Sequence, residues 1–320
     1  MSSKNRVITI GLCPCWDTIC QVKRLEWADH AVVDARYDAP AGKALNVSCA
    51  MAWMSMASTA AGLWGSDDIK QMIRAMRPLR TFIDIRMTSV KGRTRQNITI
   101  VDRRKGREIH LRNKSELISK VSIKLLKADL RKLAGPGSIC VFAGSMPQED
   151  LLFQTVSLQK LCMANGAKVV LDTSGNALKA IVRAGGLWVI SPNVAELSEL
   201  LERSIADNTA VLASAGRELL TQSRIVLISR GSKGAIALSR QGSWSVRTRQ
   251  SRKAAQTVGC GDYLLAGFLH GMCTSGRIDS ALRTAVRVAA AKAWGLTESR
   301  GFSTVQRRIK VTARKIPPQM

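Results

Sequence analysis

The strongest constraint on the fold is a regular alternation of two segment types. Short runs rich in β-branched residues read as strands: Val7–Leu12, Ile139–Phe142, Val169–Asp172, Trp188–Ile190 and Ile225–Ser229. Longer segments with helical spacing separate or follow them: 46–57, 122–134, 149–165, 177–184, 194–201 and 209–221. Strand–helix–strand alternation predicts an α/β fold built on a mainly parallel sheet. Two long apolar helices, 263–273 and 280–296, close the last third, with Asp279 expected as an N-cap.

Two stretches leave this pattern. Residues 19–40 read as extended without a helix. Residues 97–111 alternate as Asn-Ile-Thr-Ile-Val and Glu-Ile-His-Leu around a charged turn at 103–106, a hairpin signal. These pieces are expected to pair into a small accessory sheet. The tail from Arg300 onward carries six basic residues and no acidic one, and is expected to be mobile.

With 320 residues, 46% of them hydrophobic, the chain can bury a full core without disulfides or a structural metal. The eight cysteines hold only a lone Cys13-x-Cys15 and the three histidines are scattered, so a zinc site is not expected. No apolar run approaches the ~18 residues of a membrane span, and the six-residue run from Val7 is too short for a secretory leader. A cytoplasmic protein without a membrane partner is expected. The net charge of +26 implies attraction to anions without naming them.

The most informative motif is Thr257-Val258-Gly259-Cys260-Gly261-Asp262, entering an apolar helix. Glycines let backbone approach a ligand, and free amides at a helix start attract anions. Taken alone, the motif reads equally as a helix cap. Ala41-Gly42-Lys43-Ala44-Leu45-Asn46 also runs into a helix, and spacing alone favours a simple helix start with a solvated Lys43. The P-loop is absent: Ala44 follows Gly42-Lys43, and Tyr37 stands where its first glycine belongs. No G-x-G-x-x-G follows a strand.

Taken in order, the motifs resemble those of the ribokinase/PfkB family of sugar kinases. Within it, the chain is similar to the branch of 1-phosphofructokinase, minor-type 6-phosphofructokinase and tagatose-6-phosphate kinase. The resemblance rests on Cys13-Pro14-Cys15-Trp16-Asp17, Ala41 to Val47, Thr94-Arg95-Gln96-Asn97 and Ala143-Gly144-Ser145-Met146-Pro147. It continues through Asp172-Thr173-Ser174-Gly175, Ser191-Pro192-Asn193-Val194-Ala195-Glu196, Ser229-Arg230-Gly231-Ser232-Lys233-Gly234 and Gly259-Cys260-Gly261-Asp262.

The resemblance implies a ribokinase-like three-layer sandwich over residues 1–300, with lid segments near 18–41 and 86–112 and a homodimer contact through the lid. It implies Asp262 as general base and the amides of Gly259, Cys260 and Gly261 as an anion hole. Asp17, Gly42, Lys43, Asn46, Asn97 and Ser145 would hold the sugar, and Arg95 the phosphate it already carries. Ser229, Gly231 and Gly234 would border ATP, while Asn193 and Glu196 would organise Mg²⁺. The implied activity is ATP-dependent phosphorylation of a phosphorylated ketohexose, first of all fructose 1-phosphate.

This sequence departs from the family pattern at several points. Ala41 and Ala44 replace glycines, Ser191 replaces lysine, and Cys260 replaces alanine. Arg230 stands where it would restore the charge lost at Ser191, and Tyr263 where it would crowd the site. A competing reading is a weak or inactive relative acting as a basic nucleic-acid-binding protein. Nine basic residues between 91 and 114 favour it. A 4% aromatic content leaves few stacking platforms, so no specific nucleic-acid partner is expected.

Overall fold

The structure, a computed structural model, describes residues 6–27, 29–147 and 149–317. The first seven strands are β1 (Arg6–Gly11), β2 (Cys15–Val22), β3 (Val33–Ala41), β4 (Ser58–Gly65), β5 (Ile83–Val90), β6 (Gln96–Asp102) and β7 (Arg107–Arg112). The rest are β8 (Ser138–Ala143), β9 (Lys168–Asp172), β10 (Leu187–Ile190), β11 (Ser223–Ser229), β12 (Ala235–Ser239), β13 (Gly242–Thr248) and β14 (Val311–Ile316). The helices are α1 (Lys43–Trp53), α2 (Ile69–Ala75), α3 (Lys120–Leu133), α4 (Leu152–Ala164) and α5 (Gly175–Ala184). They continue with α6 (Val194–Leu200), α7 (Thr209–Glu218), α8 (Cys260–Ser275), α9 (Ile278–Ala293) and α10 (Phe302–Arg308).

Ten strands form one sheet in the order β14-β13-β12-β11-β10-β9-β8-β1-β4-β5. Pairing is parallel from β11 to β5 and antiparallel from β11 to β14. Strand β1 shows why both sheet faces must be covered. Its successive side chains point to opposite faces. Ile8 and Ile10 enter one buried cluster with α3, α4, α5 and α7, while Val7 enters the other with α1, α8 and α9. The result is the expected three-layer α/β sandwich.

The extended stretches pair as expected. Strands β3-β2-β6-β7 form a separate four-stranded sheet, with β6 and β7 as the hairpin around 103–106. Its root is buried: the Trp16 indole donates to Asp68 at 2.8 Å, and Asp68 also accepts from the Thr94 hydroxyl at 3.0 Å. One boundary needs correction. Residues 83–90, expected partly within this lid, form β5 at the parallel edge of the main sheet.

The tail also differs from expectation. Residues 302–308 are helical and 311–316 pair with β13 along its whole length. Charge suggested solvation, but Val305, Ile309 and Val311 are each buried against the α8/α9 layer. Burying them stabilises the tail and gives the exposed edge of β13 a partner. Residues 1–5 of the expected kinase domain and 318–320 of the tail lie outside the described residues. Asp279 lies inside the first turn of α9 rather than at its cap, which is Arg277, and pairs with that arginine at 3.2 Å.

Candidate active site

The ends of the parallel strands build the site. β1, β8, β9 and β11 all finish at one rim of the sheet, beneath the small sheet, and a cleft of about 1930 Å³ opens there. Open parallel sheets place ligands at the carboxyl ends of strands beside a reversal of strand order. Here the order reverses at β1, which lies between β8 and β4.

Asp262 is the third residue of α8. The N-cap is Gly259 at φ 79°, a left-handed conformation that glycine adopts without strain, and no side chain caps the helix. The cap reading of Asp262 is therefore not met: its carboxylate turns inward and accepts from Asn46 Nδ2 at 2.7 Å. The first-turn amides, which have no intrahelical acceptor, lie along the cleft with Gly259, Cys260 and Gly261. The Cys260 amide makes a long hydrogen bond to the Thr257 carbonyl at 3.5 Å.

Lys43 and Asn46 lie three residues apart on α1, hence on one helix face. Lys43 is not a solvated helix start. Its Nζ meets Asp172 Oδ1 at 2.9 Å, at the end of β9. Asp172 is a site residue that sequence spacing alone does not single out, although the intact Asp172-Thr173-Ser174-Gly175 motif marks its position.

These charges set one another's protonation. Burial, and then the negative charge of Asp172, push the Asp262 carboxyl up to about 7, against the Asn46 hydrogen bond and the cations of Lys43 and Lys292. Partial burial works to lower the Lys43 ammonium, but the Asp172 charge and hydrogen bond outweigh it and hold it above its ordinary value. Burial also raises Glu196. A carboxyl near neutrality is suited to general base work.

Asn193 and Glu196 form a reciprocal capping box at α6. Asn193 Oδ1 accepts from the Glu196 amide at 2.9 Å, and Glu196 Oε2 accepts from the Asn193 amide at 2.9 Å. One Glu196 oxygen is left for the cleft. Among the described residues no cluster of three His, Cys, Asp or Glu could hold a metal alone. A lone carboxylate oriented in this way is a donor of the kind Mg²⁺ accepts, since that ion is bound through one or two carboxylates and keeps several waters.

At the lid end, Asn97 Nδ2 donates to Asp17 Oδ1 at 3.2 Å, while the buried Asn97 Oδ1 has no partner. Gly42 and Ser145 line the same cleft. Arg95 donates to the carbonyls of Cys13 (2.9 Å), Asn113 (2.9 Å) and Pro14 (3.2 Å), so it ties the Cys13–Pro14 loop to the segment at Asn113. Arg112, which sequence reading did not assign, faces Asn97 across the β6–β7 pair and lines the cleft without a carboxylate partner among the described residues. Its signal was present in the hairpin alternation, two residues beyond His110.

Ser229, Gly231 and Gly234 border the opposite end. Gly234 has φ 90°, and a Cβ there would lie 2.0 Å from the Val246 carbonyl oxygen, so only glycine fits. Arg230 does not replace the charge missing at Ser191: Asp207 takes its guanidinium at 2.7 Å. Tyr263 does not crowd the cleft; it packs against Trp53, with ring centroids 6.4 Å apart. Ala44 is buried in the α1/α8/α9 cluster, and Ala41 is equally buried at the end of β3.

The chain belongs to the pfkB family carbohydrate kinases, whose profile it matches over residues 4–294. It is 26% identical over 313 residues to the 1-phosphofructokinase of Vibrio cholerae, covering 97% of each chain. It is 30% identical over 262 residues to that of Borreliella burgdorferi, covering 79% of this chain and 80% of that one. The tagatose-6-phosphate kinase of Staphylococcus epidermidis is 27% identical over 236 residues, 72% of this chain and 74% of the relative. The fold matches phosphofructokinase-2 from Escherichia coli in complex with fructose-6-phosphate at a TM-score of 0.85 and 20% identity. That match covers 94% of this chain and 99% of the other.

Proposed function

We propose that the chain is an ATP-dependent 1-phosphofructokinase, converting fructose 1-phosphate to fructose 1,6-bisphosphate. The observation that carries this reading is the meeting of Asp262, at the start of α8, with two arginines at the sugar end of one cleft. Asp262 accepts the proton of the attacking hydroxyl. The amides of Gly259, Cys260 and Gly261 take up charge on the transferring group. Phosphoryl transfer asks mainly for such positioning and charge stabilisation.

Asp17, held by Asn97, and Asn46 orient the sugar, with Gly42 and Ser145 beside them. Asn97 Oδ1 is a buried acceptor without a protein partner beside Asp17. Arg95 and Arg112 meet the phosphate already on the sugar; two of the five Arg95 N–H groups remain after the loop carbonyls are served. ATP lies along Ser229, Gly231 and Gly234. Glu196, oriented by Asn193, would hold Mg²⁺, and the ion would neutralise phosphate charge.

Asp17 and Asn97 share their sheet face with Ile19 and Tyr37, which are exposed. That exposed apolar pair supports a homodimer through the lid. No described helix is long and apolar enough to cross a membrane, and a cytoplasmic location suits the substrates. The test is a transfer screen with ATP and Mg²⁺ across fructose 1-phosphate, fructose 6-phosphate, tagatose 6-phosphate, fructose, ribose and adenosine. Preference for either 6-phosphate over fructose 1-phosphate moves the assignment within the branch. Transfer only to an unphosphorylated acceptor refutes it.

A further inference from the structure

Charge is unevenly distributed along the cleft. Asp17, Asp172, Glu196 and Asp262 are the acids among its lining residues, and none of them lies on β13, β14 or the 249–252 segment. The far end presents Arg247, Arg249, Arg252 and Arg314. None of these four has a carboxylate within ion-pair distance among the described residues, whereas neighbouring Arg230 and Lys233 both pair with Asp207 at 2.7 Å.

The strand pattern gives two of the four a common direction. In the β13–β14 pair, Ser245 lies opposite Arg314 and Arg247 opposite Thr312. These residues share one sheet face, which lines the cleft, while Trp244, Val246, Val311 and Ala313 turn into the core. Arg249 Nε donates to Thr312 Oγ1 at 3.1 Å, and the Arg252 guanidinium lies 5.2 Å from the Trp294 ring centroid. All four arginines are exposed.

A nucleoside triphosphate does not account for this charge. Its phosphates belong beside the Gly259–Asp262 turn, and its base and ribose are neutral, so the four cations would flank uncharged groups. A linear polyanion would instead be charged along the whole cleft. Guanidinium forks suit repeated phosphate oxygens.

We propose that these arginines form a polyphosphate track, and that the chain transfers the terminal phosphoryl group of inorganic polyphosphate to its sugar acceptor. The proposal rests on the kinase reading above and adds a second donor to it. The sugar hydroxyl oxygen forms a bond to the terminal phosphorus, and the terminal P–O–P anhydride bond breaks. The hydroxyl proton passes to Asp262. The leaving chain, one unit shorter, keeps the electron pair on its new terminal oxygen.

Nucleotide-stripped protein is incubated with Mg²⁺, the sugar phosphate that supports ATP turnover, and medium-chain sodium polyphosphate; bisphosphate formation is followed beside an ATP control. Product is expected from both donors. The double variant Arg247→Gln/Arg314→Gln should raise the polyphosphate KM roughly tenfold or more, as expected for lost charged contacts. The ATP KM should move less than about threefold, and its retained turnover reports an intact fold. Absence of product from polyphosphate while ATP transfer proceeds overturns the track, as does equal weakening of both donors. Transfer from neither donor overturns the kinase reading itself, and the track with it.

Discussion

Replacing Asp262 with asparagine separates proton acceptance from everything else this residue does. Asn46 Nδ2 donates to Asp262 Oδ2 at 2.7 Å, and an asparagine oxygen can accept the same bond. Shape and first-turn geometry are kept; basicity is lost. In the wild-type protein the base must be ionised, so kcat should climb with pH through about 7 and level off above it. The variant should lose roughly 10²–10⁴ in kcat, the usual worth of a positioned base, and its acid limb should disappear. Stability should move the other way. The Asp262 carboxyl is raised in the folded protein, so between about pH 4 and 7 the folded state holds a proton the unfolded state has released. Wild-type stability therefore falls as pH rises through that window. From the ordinary 3.8 to about 7, at about 1.4 kcal/mol per pH unit, the ceiling on that loss is about 4 kcal/mol. Asp262→Asn should therefore melt higher than wild type at pH 8, with the difference fading near pH 4. Phosphoryl transfer to fructose 1-phosphate across pH 5.5–9 (roughly the span of a titration centred near 7), with melting curves at both extremes, tests both limbs. Near-wild-type turnover in a folded variant would remove the base from Asp262. A variant that melts lower at pH 8 would refute the buried-charge argument.

Lys43→Met removes a cation that favours ionised Asp262, so the acid limb of kcat should move to higher pH; a midpoint that stays or falls contradicts the coupling. Arg95→Ala should raise the KM for the sugar phosphate tenfold or more, by roughly 1.5–3 kcal/mol, leave the ATP KM alone, and lower the melting temperature because three loop carbonyls lose their donor. Arg112→Ala should raise the same KM without the melting penalty, and an equal loss of melting temperature would show that it too is a loop clamp. Ending the chain at Arg300 strips α10 and β14 and removes the buried Val305, Ile309 and Val311, each worth roughly 1.5–3 kcal/mol; a truncated protein as soluble and heat-resistant as the full chain would show the tail to be dispensable.

Legibility in the sequence followed burial on two faces. β1, β8, β9 and β11 are short β-branched runs, so continuous apolar character announced them. β4 is just as buried, but its Ser-Thr-Ala-Ala-Gly-Leu-Trp-Gly is too small and too polar to read as a strand. β14 is hidden for the opposite reason: it is an edge strand whose Arg314 and Lys315 are exposed, and charge at an edge looks like charge in a tail. The same logic divides the site. Gly259 to Asp262 were readable because a glycine-framed turn before an apolar helix is a local pattern. The Lys43–Asp172 pair spans 129 residues and the Asn46–Asp262 bond spans 216, so no window of sequence contains either. Local reading therefore made Lys43 a solvated helix start, whereas the order of β1, β8 and β9 in the sheet decides that α1 delivers its first turn to the end of β9. Once that order is fixed, the Lys43 ammonium pairs with Asp172 while its side chain stays 40% exposed. The raised carboxyl of Asp262 then follows from topology as much as from its own motif.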